Sequence, residues 1–212
     1  MGDVTALTVG QPDFVTPWHI REAAIQSLER GQTYYTSNSG LPELRREICG
    51  YMKRRFDLNY ETSEVLVTVG GSEAIDVAVR SLTNPGDEVI IPMPSFVCYE
   101  PIARMAGAVP VIINTKAENG FKLTAEELKA AITPKTKLLV LPYPNNPTGA
   151  ILEREELEDL AEVIKNTNIA ILSDEIYAEL TFGKRHVSIA SIEGMQERPV
   201  IASGFSKAYA MT

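Results

Sequence analysis

The stretch "KLLVLPYPNNPTG" (residues 137–149) decides the fold class. Its first seven residues are nearly continuous in Leu and Val, without the alternation of a strand that has one wet face. That is the pattern of a strand covered on both sides. Pro144, Pro147 and Gly149 then bracket Asn145, Asn146 and Thr148 in a stiff turn. Buried parallel strands need helical crossovers between them, and the chain supplies both. Further strand candidates are "EVLVTVG" (64–70), "DEVIIP" (87–92), "AVPVIIN" (108–114), "NIAILSDE" (168–175) and "PVIAS" (199–203). Helical patterns lie between them at 72–82, 99–107, 124–132 and 154–167, and two more, 19–31 and 41–56, precede the sheet. Thr124 and Glu127 have the spacing of a capping box. The repeated β-α-β order predicts an α/β fold, an α/β/α three-layer arrangement around a mostly parallel sheet. Residues 1–40, punctuated by Gly, Pro, Asp and Thr, read as an N-terminal arm with the first helix, and 41–212 as the sheet domain.

Composition narrows the functional classes. The chain has 212 residues, of which 44% are hydrophobic and 23% charged, with a net charge of −8. These are the values of a soluble globular protein, and no basic stripe speaks for nucleic acid. No apolar run is long enough to span a membrane. The opening "MGDVTALTVGQPDF" lacks a secretory profile, so cytoplasmic residence is the expectation. Cys49 and Cys98 are far apart with no His at ligand spacing, which argues against a metal site.

In open α/β sheets, ligands bind beyond the carboxyl ends of the strands. After 64–70 comes "GGSEA", whose glycines allow close backbone approach. The free N–H groups of Ser72 and Glu73 at a helix start favour an anion such as phosphate. An ordinary βα turn with a Ser cap accounts for the same residues. Asp174 closes an apolar strand, with Tyr177 close by. A desolvated carboxylate there could cap a turn or keep a heterocyclic nitrogen protonated. The proline-rich turn would hold one Asn side chain as a fixed donor. Lys207, in "SGFSKAYAMT" (203–212), offers an amine that becomes a nucleophile towards carbonyls when desolvated. A phosphate cradle, a ring-nitrogen carboxylate, a donor Asn and an amine together describe pyridoxal 5'-phosphate.

The ordered stretches "GQPDFVTP", "YYTSNSGLPELR", "VTVGGSEAI", "NPGDEVIIPMPSF", "YPNNPTG", "SDEIYAEL" and "SGFSKAYAMT" resemble the class I/II aminotransferases of the fold-type I pyridoxal-phosphate enzymes. The subgroup is similar to bacterial aspartate, aromatic and N-acetyl-diaminopimelate aminotransferases. The resemblance implies that Lys207 is the Schiff-base lysine and proton carrier, and that Asp174 pairs with the pyridinium nitrogen. It further implies that Asn146 and Tyr177 bond the ring's phenolic oxygen and that Phe96 stacks on the ring. The backbone of Gly71, Ser72 and Glu73, with Ser206, would hold the phosphate. Tyr35 would reach the phosphate of a neighbouring subunit in a homodimer with shared sites, and Gly10 would lie in an arm closing over substrate, with Asn146 also contacting it.

The substrates so implied are an amino acid and a 2-oxo acid. The same core residues serve a β-lyase or a non-catalytic cofactor-binding module, which remain alternatives. Two departures stand out. Gly204 occupies a position where the family often has a phosphate-binding Ser. The Arg that normally follows "MT", and the small C-terminal domain, are missing from the sequence, as expected of a large domain truncated after its lysine.

Overall fold

The computed structural model describes residues 10–212 of the chain. Two helices come first, α1 (Trp18–Glu29) and α2 (Pro42–Phe56), followed by α3 (Gly71–Leu82). The alternation then begins: β1 (Glu88–Met93), α4 (Tyr99–Met105), β2 (Val109–Asn114), α5 (Ala125–Ala131), β3 (Thr136–Leu141), α6 (Arg154–Ile164), β4 (Ala170–Asp174), β5 (Pro199–Ala202) and α7 (Phe205–Ala208). The five strands form one sheet in the order β2-β1-β3-β4-β5, and every pairing is parallel.

The unalternated strands have the predicted consequence. Ile90, Leu139, Leu141 and Ile171 face a cluster built with Leu128 of α5 and Leu157, Leu160 and Ile164 of α6. Their neighbours Val89, Ile91, Leu138, Val140 and Leu172 face the other way, onto Ile75, Ala78 and Val79 of α3 and Ile102 and Ala103 of α4. Successive strand residues therefore fill two different cores, giving helix, sheet and helix layers. Each fully buried Leu or Ile contributes about 1.5–3 kcal/mol to this sandwich. The capping box of α5 is present, with the Thr124 hydroxyl accepting from the Glu127 N–H and the Glu127 carboxylate from the Thr124 N–H.

One predicted strand does not form. Thr62–Glu64 make a 3-10 turn, and the residues up to Val69 run on outside the sheet. Val65 is extended, with φ −106° and ψ 127°, yet the segment joins no strand: its Val67 N–H reaches the Ser39 carbonyl at 3.1 Å and its Val69 N–H the Glu73 carboxylate. Leu66 and Val69 are exposed. Apolar, β-branched residues favour extended backbone, but a strand exists only with a partner, and among the described residues no strand pairs with this segment. α1 is the other outlier, since none of its residues is buried. Among the described residues no helix is long and apolar enough to cross a membrane.

Candidate active site

β1 is flanked by β2 on one side and β3 on the other, so the chain reverses its direction of winding there. A crevice opens beyond the strand ends at such a switch point. The segments leaving β1, β3, β4 and β5 carry Phe96, Asn146, Tyr177 and Lys207 respectively, and Asp174 is the last residue of β4.

Asp174 is 7% exposed and pairs in register with Ala202 of β5. Its Oδ2 accepts the Tyr99 hydroxyl at 2.6 Å and its Oδ1 accepts the Ile176 N–H at 3.2 Å. Burial pushes its pKa above the usual carboxylate range. The Tyr99 and Ile176 bonds draw it part of the way back, and the neighbouring Glu175 adds a small upward push. Both hydrogen-bond partners are neutral, and among the described residues no cation pairs with this desolvated carboxylate.

Tyr177, half-buried in the turn after β4, has its phenol pKa raised by burial and by Asp174, while the nearby Asn146 side chain draws it part of the way back. Two of the predicted residues from different strand ends thus lie close together. The companion Asn145 is spent on the turn itself, its Oδ1 accepting the Thr148 N–H at 3.1 Å and hydroxyl at 2.9 Å. The rigid turn thus uses one Asn as scaffold and presents the other.

Lys207 sits in α7 with its Nζ donating to the Gly10 carbonyl at 2.5 Å and lying 5.7 Å from the centre of the Tyr177 ring. Gly10 is close enough to Tyr177 that a Cβ there would stand 3.0 Å from the phenol oxygen. The Thr16 hydroxyl donates to the Ala210 carbonyl at 2.6 Å. The segment from Gly10 to Thr16 is therefore strapped across the lysine's end of the crevice. Ser206 is half-buried on the same short helix.

At α3, Gly70 is the N-terminal cap with φ 83° and makes no side-chain cap bond. The Ser-cap reading of this turn is thereby corrected, because the left-handed backbone puts glycine, not Ser72, at the boundary. The first N–H groups of the helix, on Gly71, Ser72 and Glu73, have no intrahelical acceptor. A Cβ built on Gly70 or Gly71 would meet nothing within 4 Å, so the space before them is open. The Glu73 carboxylate folds back to accept from the Val69 N–H.

Phe96 is half-buried and meets Tyr99 edge-on, with ring centres 6.1 Å apart and planes at 85°. Tyr35 is fully exposed and is not brought to the crevice within one chain. Tyr99 escaped the sequence reading. The signal was its position at the start of α4, three residues after Phe96 in the segment leaving β1.

A second buried network was also not anticipated. Glu175 accepts from the Ser173 hydroxyl at 2.9 Å and the Ser188 hydroxyl at 2.7 Å, and its Oε2 lies 2.9 Å from His186 Nε2. It ties β4 to the loop ahead of β5.

Known proteins give these positions a context. YugH of Bacillus subtilis (strain 168), an aminotransferase by name, is 52% identical over 213 residues, covering all of this chain and 55% of its own length. An aspartate aminotransferase of Bacillus sp. (strain YM-2) is 44% identical over 212 residues, covering 99% of this chain and 54% of its own. The crystal structure of an aromatic aminotransferase from Pyrococcus horikoshii OT3 superposes with a TM-score of 0.95 at 40% identity, over 99% of this chain and 56% of that one. The chain spans about half the length of the curated relatives it matches. The model of the family "Aminotransferase class I and II" matches residues 2–212, and the chain belongs to that family.

Proposed function

We propose that the chain forms the cofactor-binding part of a pyridoxal-phosphate-dependent aminotransferase that moves an amino group between an amino acid and a 2-oxo acid. Asp174 carries the reading. A buried carboxylate with only neutral partners fits the protonated nitrogen of a pyridine ring, which supplies the absent cation. The rest of the donor set fits the same ligand. The open N-terminus of α3 suits its phosphate, and the Asn146–Tyr177 pair suits its phenolic oxygen.

When bound, pyridoxal phosphate supplies a carbonyl for capture by amines and a ring that withdraws electrons from the substrate α-carbon. The protein's part is to bind, orient and move protons. Asp174, kept anionic, would hold the ring nitrogen protonated. Phe96 would cover one ring face, while Gly71, Ser72 and Glu73 offer backbone donors to the phosphate, with Ser206 beside them. Lys207 Nζ would hold the cofactor covalently and, once released by substrate, take the α-proton from the substrate carbon. Gly10 lies where the arm meets both Lys207 and Tyr177, so the arm would close over the substrate, with Asn146 beside it. Tyr35, fully exposed in its own chain, is assigned to the phosphate of a second copy in a homodimer, and the cytoplasm is the compartment proposed.

The test is spectroscopic. Pyridoxal phosphate added to the full-length protein should give the absorbance of a lysine-bound cofactor, and Lys207→Ala should abolish it. Amino acids should then convert the bound cofactor to its amine form, with release of the matching 2-oxo acid. Pyruvate and ammonia release instead would overturn the transaminase assignment.

A further inference from the structure

Among the described residues, the Asp174 side chain is held from another element at one point, the hydroxyl of Tyr99 at the start of α4. Tyr99 is itself 3% exposed, and the edge of its aromatic pair is Phe96. We propose, on the functional reading above, that Tyr99 is a positioning residue. Its hydroxyl fixes the Asp174 carboxylate as an aimed anion, and its ring fixes Phe96, so one side chain sets both the edge and a face of the cofactor site.

The surroundings leave this task to Tyr99. The titratable groups near Asp174 are Glu175 and Tyr177 on its own segment and Cys98 and Tyr99 at the start of α4. Glu175 disfavours the Asp174 charge, and Asp174 in turn raises Cys98, Tyr99 and Tyr177, all of which stay neutral at physiological pH. α3 turns Ile75, Ala78 and Val79 inward, and β5 contributes Ala202 opposite Asp174. Among the described residues, Tyr99 is thus the side chain that stabilises the anion. An anion-directed hydrogen bond at this depth is worth about tenfold in an equilibrium constant.

The experiment follows the Asp174 carboxyl directly. Isotope-edited infrared spectra of the cofactor-free, full-length protein, taken as differences against Asp174→Asn, give its titration midpoint. In Tyr99→Phe, which keeps the ring and loses the donor, the midpoint should rise by about one pH unit. Pyridoxal phosphate affinity at neutral pH should fall about tenfold, with the deficit growing as the pH drops towards the new midpoint. A merely structural hydroxyl would leave both pH dependences in place. Tyr99→Leu, which also removes the contact with Phe96, should lose affinity severalfold beyond Tyr99→Phe while sharing its midpoint.

A Tyr99→Phe midpoint equal to that of the unaltered protein overturns the role of the hydroxyl. Equal affinities of the Phe and Leu variants overturn the role of the ring. Failure of the unaltered protein to bind pyridoxal phosphate overturns the functional reading instead, so the two failures are told apart.

Discussion

Replacing Asp174 by Asn should make the cofactor-free protein more stable and its cofactor binding weaker. Asp174 is 7% exposed, and burial raises its pKa above the ordinary carboxylate range. The folded state therefore holds this proton more tightly than the unfolded chain does. Stability then falls as pH rises from the ordinary carboxylate value through the raised one, and the loss is complete above it. Each unit of upward displacement corresponds to about 1.4 kcal/mol. Asn removes the charge and keeps the hydrogen bonds, since its oxygen can accept the Ile176 N–H while its NH2 donates to the Tyr99 oxygen.

The expected gain at pH 8 is about 1–3 kcal/mol. A domain of this size gains about 2–4 °C in Tm for each kcal/mol. Thermal denaturation of the cofactor-free protein should show that gain at pH 8 and show it shrinking as acid protonates the wild-type carboxyl. Pyridoxal phosphate affinity, read by fluorescence titration, should fall about 10- to 100-fold through loss of one charge-assisted bond. An Asn variant that is less stable at pH 8, or that gains equally at every pH, would refute the argument that burial of this charge is what the cofactor relieves.

Gly70→Ala should cost about 1–3 kcal/mol in thermal stability, because φ 83° is strained for any residue with a Cβ. The open space around it makes a steric clash the wrong explanation. Ser188→Ala strips one donor from buried Glu175 and should destabilise by about 1–3 kcal/mol in chemical denaturation. Its cofactor spectrum should be unchanged, and a changed spectrum would place this network in the site. Tyr35→Ala and Lys207→Ala should each be inactive alone. If sites are shared, mixing them in equal amounts should restore about a quarter of wild-type activity through hybrid dimers with one intact site. No recovery on mixing would remove Tyr35 from the partner's site.

Five of the six expected strands were legible from their unbroken apolar runs. Those of β1, β3 and β4 face two cores at once, as Leu138 and Leu139 do on opposite sides of β3, whereas the edge strands β2 and β5 are not covered on both faces as expected. "EVLVTVG" carries the same composition without a neighbour to pair with, and composition says nothing of partners. Asp174 and Lys207 were legible because a charged residue closing or following an apolar strand is conspicuous. Tyr99 was not, because a buried Tyr in an amphipathic helix looks like core until its hydroxyl is seen on a carboxylate. Tyr35 is not brought to the proposed site within one chain for a physical reason: a residue that serves a second copy has no reason to be buried in its own.

The strand order has a bearing on how the protein is made. β1, the first of the described strands to leave the ribosome, is flanked by β2 and β3, and β4 and β5 follow outward on the β3 side. Each new strand thus docks on an edge that already exists, and none has to be threaded between two others. From Glu88 to Ala202 this growth takes roughly 6–23 s at the usual pace of synthesis. Throughout that time one open edge waits for the next arrival. Lys207 emerges only after the last of these strands, so the nascent chain gains the amine proposed to react once the strands proposed to cradle the ligand have been laid down.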